Sequence, residues 1–283
     1  MQRRVFLATT AAIVSGYASL AYCESSDLSD SSKQTESSGS RIEDRFFTAR
    51  CDGSEQRYVL LYPQKWVSDT PHDLLVALHG HGSDRHQFIE EPRDECRASR
   101  EFADTHHMLM VSPDYRAKTS WMGPQAEADL LQLLELLRAE FSIRHTIVSG
   151  GSMGGSSALT FAALHPDQLD AVVAMNGMAN HLEYDQFQDA IAESFGGKKQ
   201  DIPIEYKARS AEYFPERLTM PIAVTTGGND TLVPAASVTR LVHVLQILQH
   251  PILQIHQPDG GHSTNFDDAI QAFQFVYERI GVK

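Results

Sequence analysis

Short, mainly apolar runs recur along the chain at 74–78, 108–111, 146–148, 171–175, 222–225 and 252–255. A strand covered on both faces has no polar side to alternate with, so such runs predict the buried strands of a parallel sheet. Residues 57–62 predict an earlier strand near one edge of that sheet, ended by Pro63, which cannot donate to a ladder. Between the runs the period becomes helical. Leu130, Leu133, Leu134, Leu137 and Phe141 share one face, with Glu127, Gln132, Glu135 and Arg138 on the other. Segments 156–164, 236–248 and 265–280 behave alike, and His165-Pro166 stops the first of them. Strand alternating with helix predicts an α/β fold: a mostly parallel central sheet with helices on both faces, joined by right-handed crossovers. Ligands of such a sheet sit at the C-terminal ends of its strands.

The first forty residues do not share this pattern. Arg3 and Arg4 precede an apolar stretch, 5–20, broken by Thr9, Thr10, Ser15 and Gly16 and followed by the small residues Ser19 and Ala21. This is the layout of a signal peptide, placed at 1–22, and it is too short and polar for the ~20 apolar residues of a membrane span. Arg3-Arg4-Val5-Phe6-Leu7 resembles a twin-arginine export motif, from which Gln2 and Ala8 depart, so ordinary secretion stays open beside it. Cys23 stands where a lipoprotein cysteine would, but Tyr22 occupies the place of a small residue and argues against a lipid anchor. Residues 23–40, rich in Ser, Asp, Glu and Gln, predict a disordered linker, and 41–283 a single domain. The expected location is periplasmic or extracellular. There Cys51 and Cys96 are free to pair, and their spacing does not decide whether they do.

Composition narrows the partners. With 42% hydrophobic residues the chain has material for a large core, and 37 Asp and Glu against 24 Lys and Arg give a net charge of −13. Such a surface repels phosphate backbones, which excludes nucleic acid as the expected partner. Three cysteines without a CxxC pair provide neither a disulfide framework nor a structural zinc site. A monomer or small homo-oligomer is expected.

The chemistry concentrates after the 146–148 run, where Gly150-Gly151-Ser152-Met153-Gly154-Gly155 reads as strand, sharp turn and helix and contains G-x-S-x-G. A serine held on such a turn stands clear of the sheet, and the helix behind it aims free N–H groups at developing negative charge. Ser152 is the expected nucleophile. Its base must accept a proton near neutrality, which selects histidine; of 13 histidines, His262 lies in a glycine-rich loop after the last strand, on the edge where Ser152 emerges. The acid that orients it is expected at Asp230, which follows another strand end, with Asp259 as the rival. Amides of Met153 and of His81 or Gly82, in His79-Gly80-His81-Gly82, are expected to form an oxyanion hole. His79 and His81 without a carboxylate pair are a poor metal site, so none is expected. Trp121 and Met122, with Asp114 and Tyr115, follow a further strand end and are expected to line the substrate pocket. Insert 180–215, with Phe187, Phe195, Tyr206, Tyr213 and Phe214, reads either as a lid or pocket wall or as a segment packed down by its own aromatics.

These motifs, spread over about 55–283, resemble the α/β-hydrolase superfamily, and within it serine esterases similar to feruloyl and acetylxylan esterases, esterase D and polyhydroxyalkanoate depolymerases. The resemblance implies Ser152 as nucleophile, Asp230 as acid and His262 as base, with no cofactor. Many members have histidine where this chain has Gly151, which weakens assignment to one subfamily. Prolyl-oligopeptidase-type peptidases carry similar motifs, usually beside a propeller, for which no repeated segment is seen. The expectation is therefore a secreted serine carboxylic-ester hydrolase acting on a small-molecule or polysaccharide ester, such as an acylated saccharide or a feruloyl or acetyl ester. A serine peptidase, or a non-catalytic carbohydrate- or partner-binding protein on the same scaffold, are the alternatives.

Overall fold

The computed structural model describes residues 41–280. The leader at 1–22, Cys23 and the linker at 23–40 lie outside the described residues. Among those described, eight strands form one sheet: β1 (Ile42–Thr48), β2 (Glu55–Leu61), β3 (His72–Leu78), β4 (Leu109–Pro113), β5 (Ile143–Gly151), β6 (Ala171–Met175), β7 (Ile222–Gly227) and β8 (Ile252–Gln257). Side by side they run β1-β2-β4-β3-β5-β6-β7-β8. The β1–β2 and β2–β4 pairs are antiparallel and every other pair is parallel.

Each of the six apolar runs forms a strand of the parallel part, and alternate residues feed opposite faces. Leu74, Val76 and Leu78 enter one core while Leu75 and Ala77 enter the other. A fully buried aliphatic side chain of this kind contributes about 1.5–3 kcal/mol. The strand expected at 57–62 begins earlier, at Glu55, and is not outermost, because β1 covers it. Charges hide β1 in the sequence. Its Ile42 and Phe46 face solvent, and Arg45 pairs with Glu43 and with Glu140, as suits an edge that must not recruit another chain.

Eight helices, among the described residues, complete the layers: α1 (Gln87–Glu90), α2 (Asp94–Thr105), α3 (Pro124–Glu140), α4 (Met153–Leu164), α5 (Gln188–Phe195), α6 (Pro203–Ala208), α7 (Ala236–Ile247) and α8 (Phe266–Tyr277). Helices α2 and α8 cover one face through Phe102, Ala103, Ala269 and Phe273. Helices α3, α4 and α7 cover the other through Leu133, Leu137, Phe161, Val238 and Leu241. Cys96 is buried on the inner side of α2 and Cys51 is exposed; both are free thiols, so the pairing left open above does not form.

The insert at 180–215 is built into the larger core. Tyr184, Ile191, Phe195, Tyr206 and Ala211 are buried in it, and Phe195 meets Tyr206 edge-on at 4.9 Å. Buried Arg209 joins the insert to α3 by an ion pair with Glu127 at 2.7 Å. This packing makes the insert a wall of the molecule.

Candidate active site

Ser152 lies between the last residue of β5 and the first of α4, at φ 58° and ψ −119°, a conformation that a non-glycine residue holds only when its surroundings over-determine it. They do so here. The Ser152 N–H donates to the Met175 carbonyl of β6 at 2.8 Å, and its own carbonyl accepts from the Ser156 N–H at 3.0 Å. The turn also needs glycine: a Cβ on Gly154 would lie 1.9 Å from the Leu78 carbonyl oxygen. Strand β3 and helix α4 thus approach as closely as backbones can, which thrusts the serine hydroxyl out of the sheet.

Two further strand ends bring the other polar groups to it. His262 Nε2 lies 2.8 Å from Ser152 Oγ, and His262 Nδ1 lies 2.7 Å from Asp230 Oδ2. The second carboxylate oxygen of Asp230 accepts from the Leu232 and Val233 amides at 3.0 and 2.8 Å. A carboxylate accepts only, so Nδ1 carries the proton and Nε2 offers its lone pair to the serine hydroxyl. Asp259, the rival acid, is exposed in the turn after β8. The two loops keep register by backbone contact. The Gly228 amide donates to the Gln257 carbonyl and the Asn229 amide to the Gly260 carbonyl, each at 2.8 Å, and a Cβ on Gly228 would meet the Pro258 oxygen at 2.1 Å.

A buried chain of hydroxyl and amide groups braces the same loop. Thr264 donates to Asn176 Oδ1 at 2.5 Å, so its oxygen is left to accept from Thr225, at 2.6 Å. Asn176 Nδ2 in turn donates to the Gly261 carbonyl at 3.5 Å. The ends of β6 and β7 are in this way tied to residues on both sides of His262. Sequence reading missed Asn176 and Thr264; the Asn-Gly pair directly after a strand was the available signal.

The turn after β3 corrects one expectation. The Gly80 amide donates to Gln87 Oε1 and the Gly82 amide to the Lys118 carbonyl, both at 2.7 Å, so Gly82 has no free N–H to offer. Among the described residues, the His81 amide between them has no intramolecular acceptor, and neither does that of Met153, the first residue of α4.

Trp121 and Met122 correct a second. Both are wholly buried, because Tyr184 and Phe187 of the insert close over the indole with ring centroids at 5.7 Å. They line no open pocket. Trp121 reaches the site only through its indole N–H, which donates to His81 Nδ1 at 3.1 Å. Phe187 also lies against that imidazole at 4.2 Å, a neighbour that sequence reading recognised only as one aromatic of the insert. Asp114 and Tyr115 serve the scaffold, the first pairing with Arg85 and the second donating to the His79 carbonyl at 2.7 Å. His79 is buried with its ring nitrogens on the Gly80 and Asp114 carbonyls, and burial holds its pKa below the ordinary value. Among the described residues no group of three His, Cys, Asp or Glu side chains is placed to hold a metal ion, and no helix is long and apolar enough to cross a membrane.

A sheet of this order, with a serine on the elbow after its central strand β5, is the α/β-hydrolase fold, and the protein is a serine hydrolase of that class. Residues 116–278, more than half of the chain, match the model of the prolyl oligopeptidase family, and the chain belongs to that family. It is 22% identical over 219 residues to dipeptidyl peptidase family member 6 of Caenorhabditis elegans, an alignment covering 69% of this chain and 29% of that one. The chain thus spans under a third of the length of this relative. Its fold is similar to that of an S-formylglutathione hydrolase from Agrobacterium tumefaciens, at TM-score 0.68 and 15% identity, covering 87% of this chain and 97% of the other. It is also similar to the fluorophosphonate-binding serine hydrolase F of Staphylococcus aureus, at TM-score 0.65 and 16% identity, covering 86% and 99%.

Proposed function

We propose that the protein is a serine carboxylic-ester hydrolase that works through an acyl-Ser152 intermediate. The observation that carries this reading is the unbroken hydrogen-bonded line from Asp230 through His262 to the Ser152 hydroxyl. His262 Nε2 takes the hydroxyl proton as Oγ attacks the ester carbonyl, and the oxyanion accepts from the His81 and Met153 amides. Asp230, already bound to two amides, stays ionised and stabilises the imidazolium. The imidazolium then protonates the departing alkoxide. Water repeats the cycle from the other side: it loses its proton to His262, attacks the acyl carbon, and Ser152 leaves with that proton.

Every group in this scheme comes from one chain, and none of the steps calls for a cofactor. Esters are preferred over amides because the chain matches, nearly end to end, a neighbour whose name is that of an S-formylglutathione hydrolase. Membership of the prolyl oligopeptidase family favours a second reading, a serine peptidase using the same line of residues. Export by the leader at 1–22 completes the proposal and directs it to esters outside the cytoplasm, among them acylated saccharides and feruloyl or acetyl esters. A panel of aryl acetates, feruloyl and acetyl sugars, and prolyl amides separates the readings. Faster turnover of esters, abolished by Ser152→Ala, is expected; faster turnover of prolyl amides assigns the protein to the peptidases instead.

A further inference from the structure

Among the described residues, two of the three backbone amides of the turn at 80–82 have an acceptor and one does not. The Gly80 and Gly82 amides are held by Gln87 and by the Lys118 carbonyl, the His81 imidazole is held by Trp121, and the His81 amide alone is left to a ligand. Trp121 is an unusual partner. It and Met122 are successive non-glycine residues at φ 45° and 56°, a left-handed conformation that bulky residues rarely adopt. Dedicated contacts hold them there. The Met122 carbonyl accepts from Arg209 Nη1 at 2.7 Å, and Arg209 is buried and paired with Glu127 and Glu205. The indole is enclosed by Tyr184, Phe187 and His181, and its one polar atom points at His81 Nδ1.

We propose that Trp121 is a positioning residue of the oxyanion hole: its indole N–H fixes the His81 ring, and through it the His81 backbone amide, at the point where the substrate carbonyl oxygen becomes an anion. The proposal rests on the acyl-serine reading of Ser152. Since the indole can only donate, Nδ1 must accept, and the His81 proton sits on Nε2. Phe187 packs against the same ring at 4.2 Å, so the imidazole cannot swing away without disturbing both contacts. Partial burial also lowers the His81 pKa, which keeps Nδ1 free to accept. An oxyanion donor supplies about 10²–10³ in kcat when correctly placed, and a shift of about 1 Å can forfeit a hundredfold.

The test uses kcat and KM for an aryl acetate. W121F keeps a buried ring and loses the N–H; H81L loses the acceptor and keeps the backbone amide; H81N puts an amide oxygen where Nδ1 stands. W121F and H81L are each expected to lower kcat by about 10–100-fold with KM changed by less than about threefold, since the amide acts mainly in the transition state. The double variant is expected to be no worse than the poorer single, and H81N to recover about tenfold of what H81L loses. A folded W121F with kcat within about twofold of wild type, losses that multiply in the double variant, or an H81N as impaired as H81L each overturn the proposal. Should thermal melting show that W121F does not fold, the H81L and H81N pair decides, because the His81 ring is only partly buried. A wild-type protein inert toward every ester refutes the acyl-serine reading itself, and this inference with it.

Discussion

Replacing Asp230 with asparagine tests the orientation of the base with little change of shape. One carboxylate oxygen of Asp230 accepts from two amides, Leu232 and Val233, and the other accepts from His262 Nδ1–H. Asparagine has one oxygen and one NH2. Turning the NH2 toward the two amides would oppose donors to donors inside a buried site, so the oxygen takes that side and the NH2 faces His262. Nδ1 must then accept, the ring proton moves to Nε2, and His262 can no longer receive the serine proton. In serine hydrolases with this arrangement the wrong tautomer lowers kcat by about 10⁴, or about 5.5 kcal/mol in the barrier. D230N keeps both backbone contacts and is predicted to melt close to wild type. Steady-state hydrolysis of an aryl acetate measures the first effect and thermal melting the second. Asp259→Asn is the control, because that carboxylate is exposed. A D230N enzyme within about tenfold of wild type, or a D259N loss of equal size, would refute the assignment of the acid.

Three further outcomes follow from the geometry. Thr264→Val strands the Asn176 oxygen and the Thr225 hydroxyl in the interior, so it should destabilise the fold by about 1–3 kcal/mol in urea melts and lower kcat by loosening the His262 loop; unchanged stability contradicts the bracing role. Burial, with the nearby Arg209 charge, depresses the pKa of His181 to about 3. The unfolded chain therefore binds the extra proton between about pH 6.5 and 3, so this contribution is complete above that window and fades as the pH falls through it. His181→Gln should flatten the loss of melting temperature between pH 7 and 4, and a slope as steep as wild type excludes His181 as the source. Alkylation mapped by mass spectrometry should modify Cys51 in the native protein and Cys96 only after unfolding, since Cys96 is buried and its thiol is pushed up to about 12; equal rates contradict the packing of α2.

The parts of the fold most legible in the sequence were those where one physical demand acts alone. Parallel strands buried on both faces have no choice but continuous apolar residues, and all six runs form strands, β3 to β8, although β8 is an edge strand that stays partly exposed. Edge strand β1 meets two demands, pairing on one side and discouraging further pairing on the other, and its Glu43, Asp44 and Arg45 erase the alternation that would have shown it. Helix α2 is hidden for a related reason: its inner face is made of Cys96, Ala98, Ser99, Phe102 and Ala103, too small and mixed to stand out among its charges.

At the site, Ser152, Asp230 and His262 could be read because each follows a strand of the parallel sheet with glycine beside it, and the structure brings the three together. What stayed illegible depends on hydrogen bonds that no spacing encodes. Whether Gly82 or His81 holds the free amide is decided by the Lys118 carbonyl, a residue far along the chain. Trp121 looked like a pocket residue because it follows a strand end, and only the closure of the insert over its ring turns it into a support.

The central claim is that the Ser152 hydroxyl is activated by the His262–Asp230 pair. Treating the protein with a fluorophosphonate probe and mapping the adduct by mass spectrometry tests it most directly. The account predicts a single phosphonylated residue, Ser152, with labelling lost in Ser152→Ala and slowed by orders of magnitude in His262→Ala. An unlabelled wild-type protein, or an adduct that persists at another residue when Ser152 is replaced, would contradict it.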